Sequence, residues 1–519
     1  MVYLRMMLVS LTLAWSSGVL AQRVEPPVVL GTLAGASSPQ QPSGLQLYGT
    51  DRGVSFFHAG EIIMLFGDSW RDQNAICSYA QAGLPRNDDA QAILPLPLID
   101  GVPELQFVTQ SAPVDTFQPV QLLREGSALP LGLARAPIAG WSDSRHAVAV
   151  FQTQSQLACT DEGEGKEPSC AEPFVCNRNV GACQPVRFGV PQLCDVEEQA
   201  GCSDGQACVA EPLGYCTDPT STQTAASRQV PVELALALQR PSPVAAWESK
   251  FTFATNKFSN LTARAIERFG DRGVGADYRP GYGALLIWGR PGISDGAGLY
   301  LMAHDLPIPQ SVFSGDLEFE PYYFAGLDDT YTPIWSEHEA DARPLALDGL
   351  VAGDTNDVVS PVNQMAVTWL GAPINRWIMI YGGGSRHPVE GDVLPTGALA
   401  VRFAEQPWGP WSTPETLWDP GSPTTPNTPL GPGGVLYHPE CVSQLTAACA
   451  AGDPVRPEQL LADDCASAPT PADPGFFYAP NIIDFYTRPN DKGGLDVYWN
   501  VSTWNPYRVL LVRSSFNPP

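Results

Sequence analysis

Apolar residues in this chain fall into short runs, and the runs gather in clusters separated by long polar or Pro/Gly-rich stretches. The first cluster, GVSFFHAGEIIMLF at 53–66, is two strand-length runs meeting at Ala59-Gly60. The second opens with AVAVFQ at 147–152 and resumes at 232–238 and 250–255, beyond a Cys-rich segment. The third pairs GALLIW (283–288) with GLYLMA (298–303). The fourth comprises 365–369, 377–381 and 397–403, and the fifth 481–486, 495–499 and 507–513. Short runs rich in β-branched and aromatic residues, bounded by Gly, Pro, Asn and Asp, read as strands joined by hairpin turns. Five such clusters at roughly regular spacing predict an all-β fold, a five-bladed β-propeller. A pair of β-sandwiches is the rival architecture, but no segment reads as a connecting helix and the clusters recur evenly. The segment LTARAIERF at 261–269 is predicted to be a helix decorating a blade, and the Pro-rich stretches 418–434 and 454–474 are predicted loops.

Composition supports short strands over helices: charged residues are only 16%, while Gly (48) and Pro (51) are plentiful. Residues 1–21 read as a secretory signal. Arg5 precedes an apolar run from Met6 to about Trp15, and Val19-Leu20-Ala21 offers the small residues of a cleavage site. Residues 22–519 would then form the exported propeller, in the extracellular or periplasmic space, with no further apolar run long enough to span a bilayer. The formal charge of -26 repels phosphate backbones and anionic lipid, which argues against nucleic-acid and membrane-surface roles.

Twelve cysteines in an exported chain point to disulfides. Eight of them, Cys159, Cys170, Cys176, Cys183, Cys194, Cys202, Cys208 and Cys216, crowd into 159–216 as two similar four-Cys units. A zinc ribbon would need C-x2-C pairs, which are absent, so a disulfide-rich insertion within blade two is expected, stapled because it is too small to hold a core. Cys77, Cys441, Cys449 and Cys465 remain for up to two more bridges.

The stretch YGTDRGVSFFHAGEIIMLFGDSW, 48–70, carries the most chemistry. Asp51 precedes the first strand and Asp68 follows the second. A two-residue turn at Ala59-Gly60 sets His58 opposite Glu61 and Asp51 opposite Asp68, with Cβ atoms roughly 4.5–5.5 Å apart. A three-residue loop with left-handed Gly60 slips the register by one and sends the aspartates to opposite faces. Either way both emerge at one end of the hairpin. Like charges placed opposite each other destabilise a sheet, and a catalytic site is one reason to keep them. Two carboxyls at one mouth suit glycosidic cleavage, one protonating the leaving oxygen and the other acting as nucleophile or base. Aspartates capping turns beside glycine are the plainer reading.

GTDRG followed by FGDSW resembles the opening of the domain-of-unknown-function family 4185, with weaker echoes in GRP at 289–291, PWS at 410–412 and YAP at 478–480. Members of that family resemble five-bladed propellers, and some form glycoside hydrolase family 183, endo-acting on D-arabinofuranose polymers. The resemblance implies that Asp51 and Asp68 match the family's catalytic aspartates. Arg52 stands where an apolar residue is more usual, and the Cys-rich insert has no counterpart.

Trp70, beside Asp68, is the first candidate for stacking on a sugar face, and Tyr478, Trp499 and Trp504 follow if the last blade closes on the first. Arg290 is a candidate for sugar hydroxyls. A third acidic residue is expected to tune the aspartate pair. The six histidines form no metal motif, Glu337-His338-Glu339-Ala340-Asp341 is a solvated loop or a calcium ligand set, and GGGSRH (382–387) lacks the second glycine of a nucleophile elbow. No cofactor or metal is expected. The leading reading is a secreted endo-acting glycoside hydrolase with a polysaccharide substrate. The alternative is a non-catalytic glycan-binding or adhesion propeller, with the Cys-rich insert as its adhesion module.

Overall fold

The computed structural model describes residues 23–39, 45–77, 88–96, 101–110, 116–124, 127–129, 135–142, 146–153, 157–158, 174–177, 182–185, 207–209, 215–217, 232–239, 246–255, 257–266, 283–290, 298–306, 320–328, 332–346, 364–382, 397–420, 434–443, 475–504 and 506–518. Five antiparallel sheets follow one another along the chain. Blade one is Gly49–His58, Glu61–Trp70, Asp88–Leu94 and Gln106–Phe107. Blade two is Arg135–Ser142, Ala147–Thr153, Val232–Gln239 and Ala246–Thr255, with Gln121–Arg124 added in parallel at its outer edge. Blade three runs from Ser259–Ile266 through Gly283–Arg290, Tyr300–Leu306 and Tyr322–Leu327 to Pro333–Ser336. Blade four is Met365–Leu370, Arg376–Gly382, Leu399–Ala404 and Glu415–Trp418. Blade five is Phe476–Ile482, Leu495–Trp504 and Arg508–Asn517.

The first strand of each sheet packs against the first strands of its two neighbours, and 476–482 returns to 49–58. That cyclic order makes the molecule a five-bladed β-propeller. The N-terminal strands Arg23–Val24 and Val28–Ala34 pair with Arg508–Asn517, so the last sheet is built from both ends of the chain. Five apolar clusters fill the interfaces between adjacent blades. Each sheet is therefore covered on both faces, and Gly283–Arg290 is buried at every position. This is why the apolar runs lack clean alternation.

The segment 261–269, predicted as a helix, is a strand as far as it is described. Ser259–Ile266 is the innermost strand of blade three, with Leu261, Thr262, Ala263 and Ile266 buried. Packing between blades two and three overrides the helical preference of Leu, Ala and Arg. The predicted strand 481–486 is also displaced: the strand ends at Ile482, and Asp484–Tyr486 is a 3-10 turn.

The chain leaves Ala147–Thr153 and returns as its hydrogen-bonded neighbour Val232–Gln239, with the Cys-rich stretch between. Within that stretch the backbone ladders set Cys176 opposite Cys183 and Cys208 opposite Cys216. The side chains of those four, the whole of Cys159, Cys170, Cys194 and Cys202, the signal segment, most of both Pro-rich loops, GGGSRH after Gly382, Cys449 and Cys465 lie outside the described residues. Cys77 and Cys441 form a buried disulfide with a Cα–Cα distance of 5.2 Å and a sequence separation of 364. Among the described residues no helix is long and apolar enough to cross a membrane.

A bridge closing so long a loop restricts the unfolded chain strongly. Replacing both Cys77 and Cys441 by Ser is expected to destabilise the fold by about 2–5 kcal/mol, read as a lower denaturation midpoint with a steeper slope as the unfolded chain expands.

Candidate functional site

The first hairpin sets the geometry. Ala59 (φ 50) and Gly60 (φ 94) form the two-residue turn, and His58 faces Glu61. That register holds to Val54 opposite Leu65 and then breaks. Arg52 (φ 65) and Gly53 (φ 76) both take left-handed backbone, a bulge that advances the chain by one residue. Asp51 consequently faces Gly67 and not Asp68, and Asp68 (φ 39) sits in a second irregularity, between Phe66 and Ser69. The expected face-to-face aspartate pair is replaced by two carboxylates offset along the hairpin, which avoids the direct repulsion of opposed like charges.

Side chains from blade five complete the bulge. The Arg52 N–H donates to Ser502 Oγ (2.7 Å), and Asn500 Nδ2 donates to the Arg52 carbonyl (2.6 Å). Asn481 Oδ1 accepts from both the N–H and the hydroxyl of Ser55 (3.1 and 2.9 Å). Thr50 and Ser69 join hydroxyls across the strand ends at 2.8 Å. Gly67 makes room for the Asp51 carboxylate: a Cβ there would lie 2.6 Å from Asp51 Oδ1 and 3.0 Å from Arg52 Cδ, and both side chains would have to shift.

Asp51 is 5% exposed. Its Oδ2 accepts from the Tyr478 hydroxyl at 3.0 Å, while Oδ1 has no hydrogen-bond partner among the described residues and lies 3.9 Å from Arg52 Nε. Burial raises its carboxyl above the ordinary range, against the opposing pull of Arg52 and of the Tyr507 and Tyr478 hydroxyls. Asp68 is half-buried, and its Oδ2 lies 3.4 Å from the Tyr507 hydroxyl. Each carboxylate therefore has its own phenol, Tyr478 on Asp51 and Tyr507 on Asp68, and the two phenols lie near one another. Burial, then the neighbouring Asp51, pushes both phenols well above their usual range, so they stay protonated donors.

A third carboxylate completes the cluster. Asp89, on Asp88–Leu94, is fully buried and accepts the Asp68 N–H at 3.1 Å. The sequence reading expected such a residue without locating it. The available signal was position, since Asp89 opens the strand that follows the one ending in Asp68, opposite the second irregularity.

Tyr478 is therefore brought to the aspartates. Trp504 is half-buried and meets Tyr478 and Tyr507 edge-on, with interplanar angles of 71° and 87°. Trp70 is buried against Ala75 and Tyr507, a wall of the site and not an open platform. Trp499 is fully buried in the core between blades four and five. Arg290 ends the second strand of blade three opposite Ser259 and is 1% exposed, a buried residue of a different blade. On the propeller axis a small cavity of ≈20 Å3 is lined by Arg52, Val54, Ile138, Leu261, Gln364, Met365, Ala479, Pro480 and Asn481, drawn from all five blades.

The acidic run 337–341 holds no open cation site in its turn. The Lys257 ammonium donates to the carbonyls of Glu339, Ala340 and Ala342 at 2.9, 3.0 and 3.0 Å, where a cation would sit. Cys77, His438 and Cys441 approach within metal-ligand reach of one another, but the two thiols are joined as the disulfide.

No protein-family model matches the chain, and no curated protein matches it in sequence. A solved structure described as "a putative hydrolase from Bacteroides ovatus ATCC 8483" is similar at 10% identity, covering 91% of this chain and 86% of that one with a TM-score of 0.39. A likeness that distant carries no weight for activity, and the propeller assignment stands on the strand pairing above.

Gly67→Ala forces the Asp51 carboxylate aside in a packed site. Its expected cost is about 1–3 kcal/mol, measured by denaturant unfolding, with a raised Asp51 titration disturbed in the same variant.

Proposed function

We propose that the protein is an exported glycoside hydrolase that cleaves a polysaccharide through Asp51 and Asp68, with arabinofuranose-containing polymers as the substrate class implied by the GTDRG and FGDSW resemblance. The observation that carries this reading is two carboxylates in unlike surroundings, Asp51 buried and held by Tyr478, Asp68 half-open and held by Tyr507. Asp51, buried and raised, keeps its proton and serves as general acid to the leaving oxygen. Asp68, half-open to solvent, serves as nucleophile or base at the anomeric carbon. Tyr478 holds the Asp51 carboxylate and Tyr507 that of Asp68 by hydrogen bonds. Trp504 offers the half-open aromatic face for a sugar ring, a role the burial of Trp70 makes less suitable for that side chain. Arg52 lines the axial cavity beside Asp51, with its Nε 3.9 Å from Asp51 Oδ1 as the cation that offsets that carboxylate.

The test is a panel of arabinan and other envelope polysaccharides incubated with wild type, Asp51→Asn and Asp68→Asn. Wild type is expected to release fragments, and each variant to lose about 10^2–10^4 in rate while still binding the polymer. Binding by all three with no fragments from any would instead identify a glycan-binding propeller.

The pH profile has a definite sign. Asp51 must be protonated to act, so kcat/KM falls as pH rises through its folded value, which burial places above the ordinary carboxylate range. A falling limb centred at or below the ordinary carboxylate value would remove Asp51 from the acid role.

A further inference from the structure

We infer that Asp89 is a positioning residue of this site, an uncharged carboxylic acid that fixes the backbone of Asp68 and, through it, the aim of the Asp68 carboxylate. The activity arm of this inference rests on the hydrolase reading above, and its structural arms do not.

Asp68 stands in left-handed backbone (φ 39) where the ladder between the second and third strands of blade one breaks, from Phe66 to Ser69. Its N–H is turned out of the ladder and donates to Asp89 Oδ1 at 3.1 Å. Non-glycine residues hold such backbone only where surroundings impose it. Asp89 supplies one such restraint from a neighbouring strand, fully buried, with Oδ2 lacking any hydrogen-bond partner among the described residues.

The charged groups facing Asp89 are Asp51 and Arg52 from the innermost strand and Asp68 from the second. Tyr478 and Tyr507 of blade five lie behind Asp51 and Asp68. Arg52, the one cation, has its Nε towards Asp51. A further full negative charge with a bare oxygen is disfavoured there by burial and by two neighbouring carboxylates against one guanidinium. A neutral acid loses nothing needed for the contact, since its carbonyl oxygen still accepts the N–H. Burial first, then Asp68 and Asp51, raise the Asp89 carboxyl well above its ordinary range, and Arg52 and the Asp68 N–H oppose this. A neutral Asp89 also leaves Asp68 free to ionise without repulsion from beneath. The third carboxylate is therefore a rigid acceptor and not a third charge.

Asp89→Asn and Asp89→Ala separate these roles. Asparagine keeps an acceptor and stays neutral at every pH, whereas alanine removes the acceptor. Wild-type Asp89 favours folding only while protonated, so its contribution is complete below the unfolded carboxylate value and is lost as pH rises through the raised folded value. The Tm of Asp89→Asn minus that of wild type should therefore become steadily more positive from pH 4 to pH 8, and a flat difference would overturn the neutral acid. Hydrogen–deuterium exchange of the peptide spanning 66–70 should quicken at least tenfold at Asp68 in Asp89→Ala and stay near wild type in Asp89→Asn, and equal exchange in all three would overturn the positioning role. On a cleaved substrate, Asp89→Asn should keep the rate within about threefold with an unmoved pH profile, while Asp89→Ala loses at least tenfold. A shifted profile in Asp89→Asn would show that the charge is used. If no substrate is cleaved by wild type, the melting and exchange results still decide the inference.

Discussion

The broken register at Arg52-Gly53 is the constraint on which the rest of this molecule depends. A bulge strands backbone groups that a regular ladder would satisfy, and buried stranded groups cost about 1–3 kcal/mol each. Here the Arg52 N–H and carbonyl are taken up by Ser502 and Asn500, two residues apart on the second strand of blade five. Asn481, on the first strand of that blade, takes up Ser55. The irregularity in the first blade is thus made stable only by the arrival of the last. Ring closure and site assembly are one event, because the same contacts that join the ends of the propeller bring Tyr478 and Tyr507 onto Asp51 and Asp68.

That arrangement divides the acids by environment and not by type. Asp51 lies beneath the bulge, over the bare Cα of Gly67, and is buried. Asp68 stands on the second irregularity and reaches solvent. Had the hairpin kept one register throughout, the two would be equivalent cross-strand neighbours with similar exposure, and neither would be biased towards holding or losing a proton. Displacing the chain by one residue on one strand is enough to separate them.

Much of the fold was legible in the sequence because strand runs and turn residues act locally. Of the two turns the sequence allowed at Ala59-Gly60, the molecule has the two-residue one, whose register holds as far as Val54, and the runs at 283–288, 365–369 and 495–499 all lie within strands. The helix expected at 261–269 failed because Ser259–Ile266 is buried between blades, where packing outweighs the propensity of Leu, Ala and Arg. Asp51, Asp68 and Tyr478 could be singled out because Asp beside Gly and YAP are local signals. The bulge could not be read, since Arg52 carries no mark of left-handed backbone and is held there by residues some 450 positions away. Asp89 was missed for a related reason: its partner is a backbone N–H exposed only by the second irregularity.

The disulfide extends the same logic outward. Cys77 follows the 3-10 turn Gln73–Ile76, and the Ile76 carbonyl accepts the Tyr507 N–H at 2.7 Å. Ala75 of that turn packs with Trp70 and Tyr507, and its carbonyl lies so near Gly49 that a Cβ there would meet it at 2.6 Å. Joining Cys77 to Cys441 therefore restrains the turn on which Tyr507 rests, from a point remote in sequence and buried. The phenol on Asp68 is thus braced from two directions, by the strand register of blade five and by the bridged turn of blade one. A hydroxyl at 3.4 Å from Asp68 has little tolerance for displacement before the contact is lost. The covalent bond is placed where a small shift of the turn would matter most to the geometry of the acidic cluster.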